Sequence, residues 1–192
     1  MLHKIAQTIS TLFSPLTFIP LILFWKLDEV HLSSSAFQKT LLILFGFGIL
    51  PTVGSLILLK RMGRISDWGI DKREQRLQFG LIAYFFMAVT LLILWRVESG
   101  EILKLISLLL AGGLIFTLIT LFWKISAHTT AATLFSLFLL DQPSLFLLAG
   151  VPLAVAVAWS RIYLKRHTLA QVVAGSLLAT FIYLVGKMQG FI

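Results

Sequence analysis

VPLAVAVAWSRIYLKRHTLAQVVAGSLLATFIYLV, Val151–Val185, is the stretch on which the reading of the whole chain turns. Two apolar runs, Val151–Trp159 and Val172–Val185, flank a polar segment, Ser160–Gln171, that holds Arg161, Lys165, Arg166 and His167. Charge is costly at the bilayer centre, so such a segment belongs at the edge of the hydrocarbon and the runs within it. The stretch therefore reads as two membrane helices joined by a basic loop. A bare connector needs only a few polar residues, and this one carries a pattern.

The rest of the chain has the same solvent. It is 58% hydrophobic and 12% charged, with a mean hydropathy of +0.96. A soluble domain of this size is about half apolar and about a quarter charged. Long apolar runs must satisfy their backbone groups within one segment, so an all-α, polytopic membrane helix bundle is expected. No long polar stretch interrupts residues 1–192, which read as a single integral membrane domain. The net charge of +8 lies between apolar spans, which points to anionic headgroups or a phosphorylated substrate rather than nucleic acid. The absence of cysteine removes disulfides, thiolate nucleophiles and cysteine metal sites. The run at about 5–25 is long for a signal peptide and lacks a small-residue cleavage pattern, so a retained first helix is expected.

Apolar runs occur at about 5–25, 38–59, 77–95, 102–123, 127–140, 144–160 and 168–187. That predicts seven transmembrane helices, or six if the first lies along the surface. Alternation puts Lys4, Lys60–Arg76, Lys124–His128 and Ser160–His167 on one face, with eleven of the sixteen lysines and arginines. The positive-inside rule assigns that face to the cytoplasm.

Three polar clusters lie on that face. Lys60–Arg76 can be read as a basic loop held against anionic lipid. Its compact Asp71-Lys-Arg-Glu-Gln-Arg76 also offers arginine forks, Arg73 and Arg76, suited to phosphate oxygens. Lys124-Ile125-Ser126-Ala127-His128 opens the shortest run. About a dozen apolar residues at ~1.5 Å each fall well short of the ~30 Å hydrocarbon thickness. His128 is therefore expected below the headgroups, where an ionisable residue is a functional candidate. Ser126 and the helix-start N–H groups would face an anion there. The third cluster is Ser160–Gln171 itself. His3 and His31, in the N-terminal tail and a loop, are given no role. Two histidines, a serine and several arginines on one face suit attack on phosphorus: one histidine as nucleophile, one as proton donor, arginines around the oxygens.

These residues resemble a known family. Ser160-Arg161, five residues, His167, three residues and Gln171 resemble the third signature, S-R-x5-H-x3-D, of the type 2 phosphatidic acid phosphatase superfamily. Ser126-Ala127-His128 is similar to its second signature, P-S-G-H, with Ile125 for proline and Ala127 for glycine. The resemblance covers roughly residues 124–187. The first signature, K-x6-R-P, is absent, and Arg73 and Arg76 are its stand-ins by order in the sequence.

The resemblance implies His167 as nucleophile and His128 as the acid that protonates the leaving oxygen. It implies Arg161, Ser126 and the backbone at Ala127 as phosphate ligands, and we place Ser160 and Lys124 with them. It implies no metal and no cofactor, and a lipid phosphate or isoprenoid diphosphate as substrate. The chain departs from the family at Gln171, where an aspartate would hold the other nitrogen of the nucleophilic ring. An amide oxygen accepts that bond but brings no charge to a developing imidazolium. In a serine protease the analogous Asp→Asn change costs ~10⁴ in rate.

Two other readings stand beside the phosphatase. One is a non-catalytic lipid-phosphate binder on the same bundle. The other is an intramembrane prenyltransferase, since Asp67 and Asp71 sit four apart like ligands of a magnesium diphosphate. That class calls for a second aspartate-rich loop, and neither 124–128 nor 160–167 contains an acid.

Overall fold

A computed structural model of the chain describes residues 1–30, 32–70, 72–97 and 100–192. His31, Asp71 and Glu98 lie outside them, so the Asp67–Asp71 pair has only one described member. The described residues are mostly helical, with no strand: α1 Leu2–Leu12, α2 Pro15–Glu29, α3 Ser34–Arg61, α4 Arg73–Trp95, α5 Gly100–Phe122, α6 Ala127–Phe138, α7 Pro143–Tyr163 and α8 Leu169–Met188. Five of these (α3, α4, α5, α7 and α8) are long and apolar enough to cross a membrane. The all-α polytopic bundle read from the apolar runs is thus what the chain forms.

Two elements differ from the sequence reading. The first run is not one straight helix. It breaks between α1 and α2, which meet at 45° and count together as a sixth possible span. The cause is local: Pro15 donates no N–H and its ring pushes the preceding residue out of the α region. Phe13, at the break, has φ −101° and ψ 61°. The run at 127–140 becomes α6, twelve residues followed by a 3₁₀ turn at Leu139–Asp141. At ~1.5 Å per residue it is shorter than the ~30 Å hydrocarbon thickness and is not among the helices long enough to cross by themselves.

The chain packs as two compact units. One comprises Leu23–Thr117 with Phe191. Within it Tyr84 on α4 donates its hydroxyl to the Gly113 carbonyl on α5 and shares a hydrogen bond with Thr117.

The other comprises Met1–Ile22, Leu118–Gly190 and Ile192, and holds the second and third clusters. Its centre is α6, which packs on both α7 and α8, while α1 packs on α7. Phe18, Ala131, Ala132 and Val157 form a buried cluster, with Phe13 and Phe135 stacked on Phe18 at 5.9 and 5.2 Å. A polar clasp, Lys187 to Asp141 at 2.9 Å, ties α8 to the turn after α6.

The crossing of α6 and α8 is set by one glycine. A Cβ on Gly175 would lie 2.7 Å from the Ser126 carbonyl oxygen and 2.9 Å from Thr130 Oγ1. Such close approach through a small residue is how helices associate where lipid removes the hydrophobic drive. Gly175→Ala is therefore expected to lower stability by ~1–3 kcal/mol through overpacking and to depress activity further by displacing Ser126. Thermal unfolding in detergent, read beside turnover, checks both effects.

Candidate active site

The spacing between Arg161 and His167 has a backbone explanation. Helix α7 ends at Tyr163, and the next residues form a Schellman turn: Lys165 N–H donates to the Ile162 carbonyl at 2.9 Å and Arg166 N–H to the Arg161 carbonyl at 3.0 Å. Lys165 takes the left-handed conformation this turn requires, with φ 54°. His167 N–H then donates to the same Arg161 carbonyl at 3.2 Å. Arg161 and His167 are thereby held together at the end of one helix and the approach to the next. Five intervening residues are what the turn needs.

Helix α8 starts immediately afterwards through a capping box. Thr168 Oγ1 accepts the Gln171 N–H at 3.3 Å, and Gln171 Oε1 accepts the Thr168 N–H at 3.1 Å. The same Gln171 Oε1 lies 3.1 Å from His167 Nδ1. This pair of contacts decides the tautomer. A backbone N–H can only donate, so the Gln171 atom facing Thr168 is the amide oxygen and not the NH₂ group. An oxygen cannot donate to Nδ1, so Nδ1 carries the proton. In the neutral ring Nε2 then holds the lone pair. That nitrogen is buried, and the His167 side chain as a whole is 5% exposed.

Gln171 also joins the second cluster to the third. Its backbone carbonyl accepts the Ser126 N–H at 3.2 Å. Ser126 caps α6, its hydroxyl accepting the Thr129 N–H at 3.3 Å, while its carbonyl accepts from the hydroxyls of Thr129 and Thr130 at 3.1 and 2.9 Å. Ala127 and His128 form the first turn of α6, and His128 is buried. This helix start presents the positive end of the helix dipole.

A cleft of about 490 Å³ is lined by Lys124, Ile162, Lys165, Arg166, His167, Thr168 and Gln171. Three of the seven are cationic and none is acidic. Arg161, Ser126 and His128 are buried nearby in sequence and packing but are not among the lining residues. Arg161 is only 2% exposed, and its Nη1 donates to the Ser10 hydroxyl on α1. Ser160 is fully buried, and its hydroxyl donates to the Val157 carbonyl at 2.8 Å, back into its own helix.

Arg73 and Arg76 lie in the other unit, at the start of α4. Arg76 reaches back to the Ile70 carbonyl at 3.4 Å from both Nε and Nη2. In the same loop Asp67 accepts the Gly69 N–H at 2.9 Å and the Ser66 hydroxyl at 3.1 Å, so both of its carboxylate oxygens are engaged in local turns. Among the described residues no group of three His, Asp or Glu side chains is placed to hold a metal.

Two features of this site escaped the sequence reading. Thr168-Leu-Ala-Gln171 fits the S/T-x-x-E/Q capping pattern and had a local signal. The Ser10–Arg161 contact, 151 residues apart, had none.

Comparison with known proteins agrees with the resemblance over this part of the chain. Residues 106–189 match the family model of the PAP2 superfamily. The matched segment contains α6, α7 and α8 with both motifs. Neither the curated proteins nor the solved structures give a match to the chain.

The double use of Gln171 Oε1 generates a test. Gln171→Glu keeps the length, the capping box and the acceptor for Nδ1, and adds a charge. It is expected to keep or raise turnover. Its carboxylate favours the protonated ring, so the acidic limb of the pH–rate profile moves to higher pH. Gln171→Asp brings the same charge on a shorter arm that cannot serve Thr168 and His167 equally, and gains less. Gln171→Leu leaves both donors without this acceptor and should lose on the order of 10²-fold or more in kcat, short of the ~10⁴ seen when a triad tautomer is lost. Steady-state rates across pH for the three variants check the order.

Proposed function

We propose that the chain hydrolyses a membrane lipid phosphate or an isoprenoid diphosphate through a phospho-histidine on His167, with no metal or cofactor taking part. The observation that carries this reading is the His167–Gln171–Thr168 arrangement, which puts the proton on Nδ1 and the lone pair on Nε2 of a histidine that lines a cationic cleft. The match of residues 106–189 to a superfamily that includes phosphatases of this type supports it.

In this mechanism Nε2 attacks phosphorus, the P–N bond forms and the P–O bond to the lipid breaks. Protonated His128 delivers its proton to the departing oxygen. A water then attacks the phospho-histidine, neutral His128 takes its proton, and the P–N bond breaks to return the ring with Nδ1 still protonated. Arg161, Lys124 and the α6 start, with Ser126 and Ala127, offset the charge on the phosphoryl oxygens. The basic face carrying the site is assigned to the cytoplasm. The one observation favouring the second reading, a lipid-phosphate binder, is that Gln171 is an amide and adds no negative charge to the ring.

Phosphate release from dioleoyl phosphatidic acid and farnesyl diphosphate in detergent micelles, with EDTA present, tests the proposal. Release should survive chelation and vanish in His167→Ala. His128→Ala should lose most with poor leaving groups, because its task is protonation of the leaving oxygen. Binding of both lipids with no release by wild type or Gln171→Glu would establish the binder instead.

A further inference from the structure

The N-terminal helix supplies a residue to the site from outside the segment that matches the family model. Arg161 on α7 is buried, and burial of a guanidinium is tolerable only when its N–H groups are engaged. Its Nη1 donates to the hydroxyl of Ser10, itself only 8% exposed, on α1. The contact is possible because the Ser14–Pro15 break turns α1 by 45° from α2 and α1 packs on α7. The neighbouring residues on this face of α1 are anchored as well: Ala6 is fully buried, and Ile9 and Phe13 pack against the Phe18 cluster. The hydroxyl is therefore held on a fixed helix face.

A serine oxygen is a measured choice for this task. It accepts from one arm of the fork without neutralising the cation, whereas a carboxylate there would compete with the phosphate for the whole fork. Arginine carries rotamer entropy, part of which is lost whenever a bound phosphate must immobilise it. Fixing one arm in advance removes part of that loss from the binding step.

We propose that Ser10 is a positioning residue that orients the Arg161 guanidinium for the phosphate, so that α1 is part of the phosphate site. This rests on the reading of Arg161 as a phosphate ligand. Ser10 touches no reacting atom and acts through Arg161 alone.

The test uses the full chain in detergent micelles, with orthovanadate as phosphate mimic and dioleoyl phosphatidic acid as substrate. Ser10→Ala should weaken vanadate binding and raise KM roughly ten-fold, the scale of one hydrogen bond to a charged group, with a smaller change in kcat and a melting temperature lowered by the loss of one acceptor for a buried guanidinium. Ser10→Thr, which keeps the hydroxyl, should restore most of the affinity. In an Arg161→Ala background Ser10→Ala should cost nothing more. Wild-type affinity in Ser10→Ala would overturn the proposal, as would a ten-fold loss that persists without Arg161. Tighter vanadate binding by Ser10→Ala would also overturn it, since the hydroxyl would then be competing with phosphate. If Arg161→Ala itself binds vanadate like wild type, or the wild type binds none, the phosphate reading of the site falls and the role of Ser10 falls with it.

Discussion

Gln171 holds the site together with two oxygens. Its side-chain oxygen accepts from both His167 Nδ1 and the Thr168 N–H, and its backbone carbonyl accepts from the Ser126 N–H. The first oxygen sets the histidine tautomer. The second brings the start of α6 against the start of α8. Because the backbone donor at Thr168 fixes which end of the amide faces the ring, the His167 imidazole is oriented by helix capping rather than by a buried charge. This gives a physical reason for glutamine where the related signature has aspartate: the third residue of a capping box is a glutamate or glutamine, long enough to reach back to the cap.

The same economy runs through the unit. The end of α7, the start of α8 and the start of α6 must each satisfy orphan backbone groups. The Schellman turn does this for α7 and holds His167 beside Arg161. The capping box does it for α8 and holds the imidazole. Ser126 does it for α6 while its N–H binds Gln171. The candidate site residues sit at three helix ends whose closure is already required by the fold. Gly175 permits the approach, since any side chain there would meet the Ser126 carbonyl.

How much of this could be read in the sequence depends on the range of each interaction. The spans were legible because lipid demands some twenty apolar residues in a row, and such runs are local. The Ser160–Gln171 pattern stood out as a candidate site because charges of that density are costly next to hydrocarbon. The break before Pro15 also had a local signature, but the apolar run across it was read as one helix. The Ser10–Arg161 contact depends on how α1 folds back on α7, and no spacing encodes that. For Arg73 and Arg76 the sequence offered order and charge alone. The Arg76 contact to the Ile70 carbonyl belongs to the internal structure of the loop, which charge patterning does not describe.

The central claim is that Nε2 of His167 attacks phosphorus because Gln171 keeps the proton on Nδ1. Rapid mixing of the full chain with radiolabelled phosphatidic acid in EDTA, quenched in alkaline detergent, tests it most directly. The account predicts a transient label that is stable to alkali, labile to acid, carried on the peptide containing His167 and absent from His167→Ala. Phosphate release with no alkali-stable label at any time, or a label that persists in His167→Ala, would contradict it.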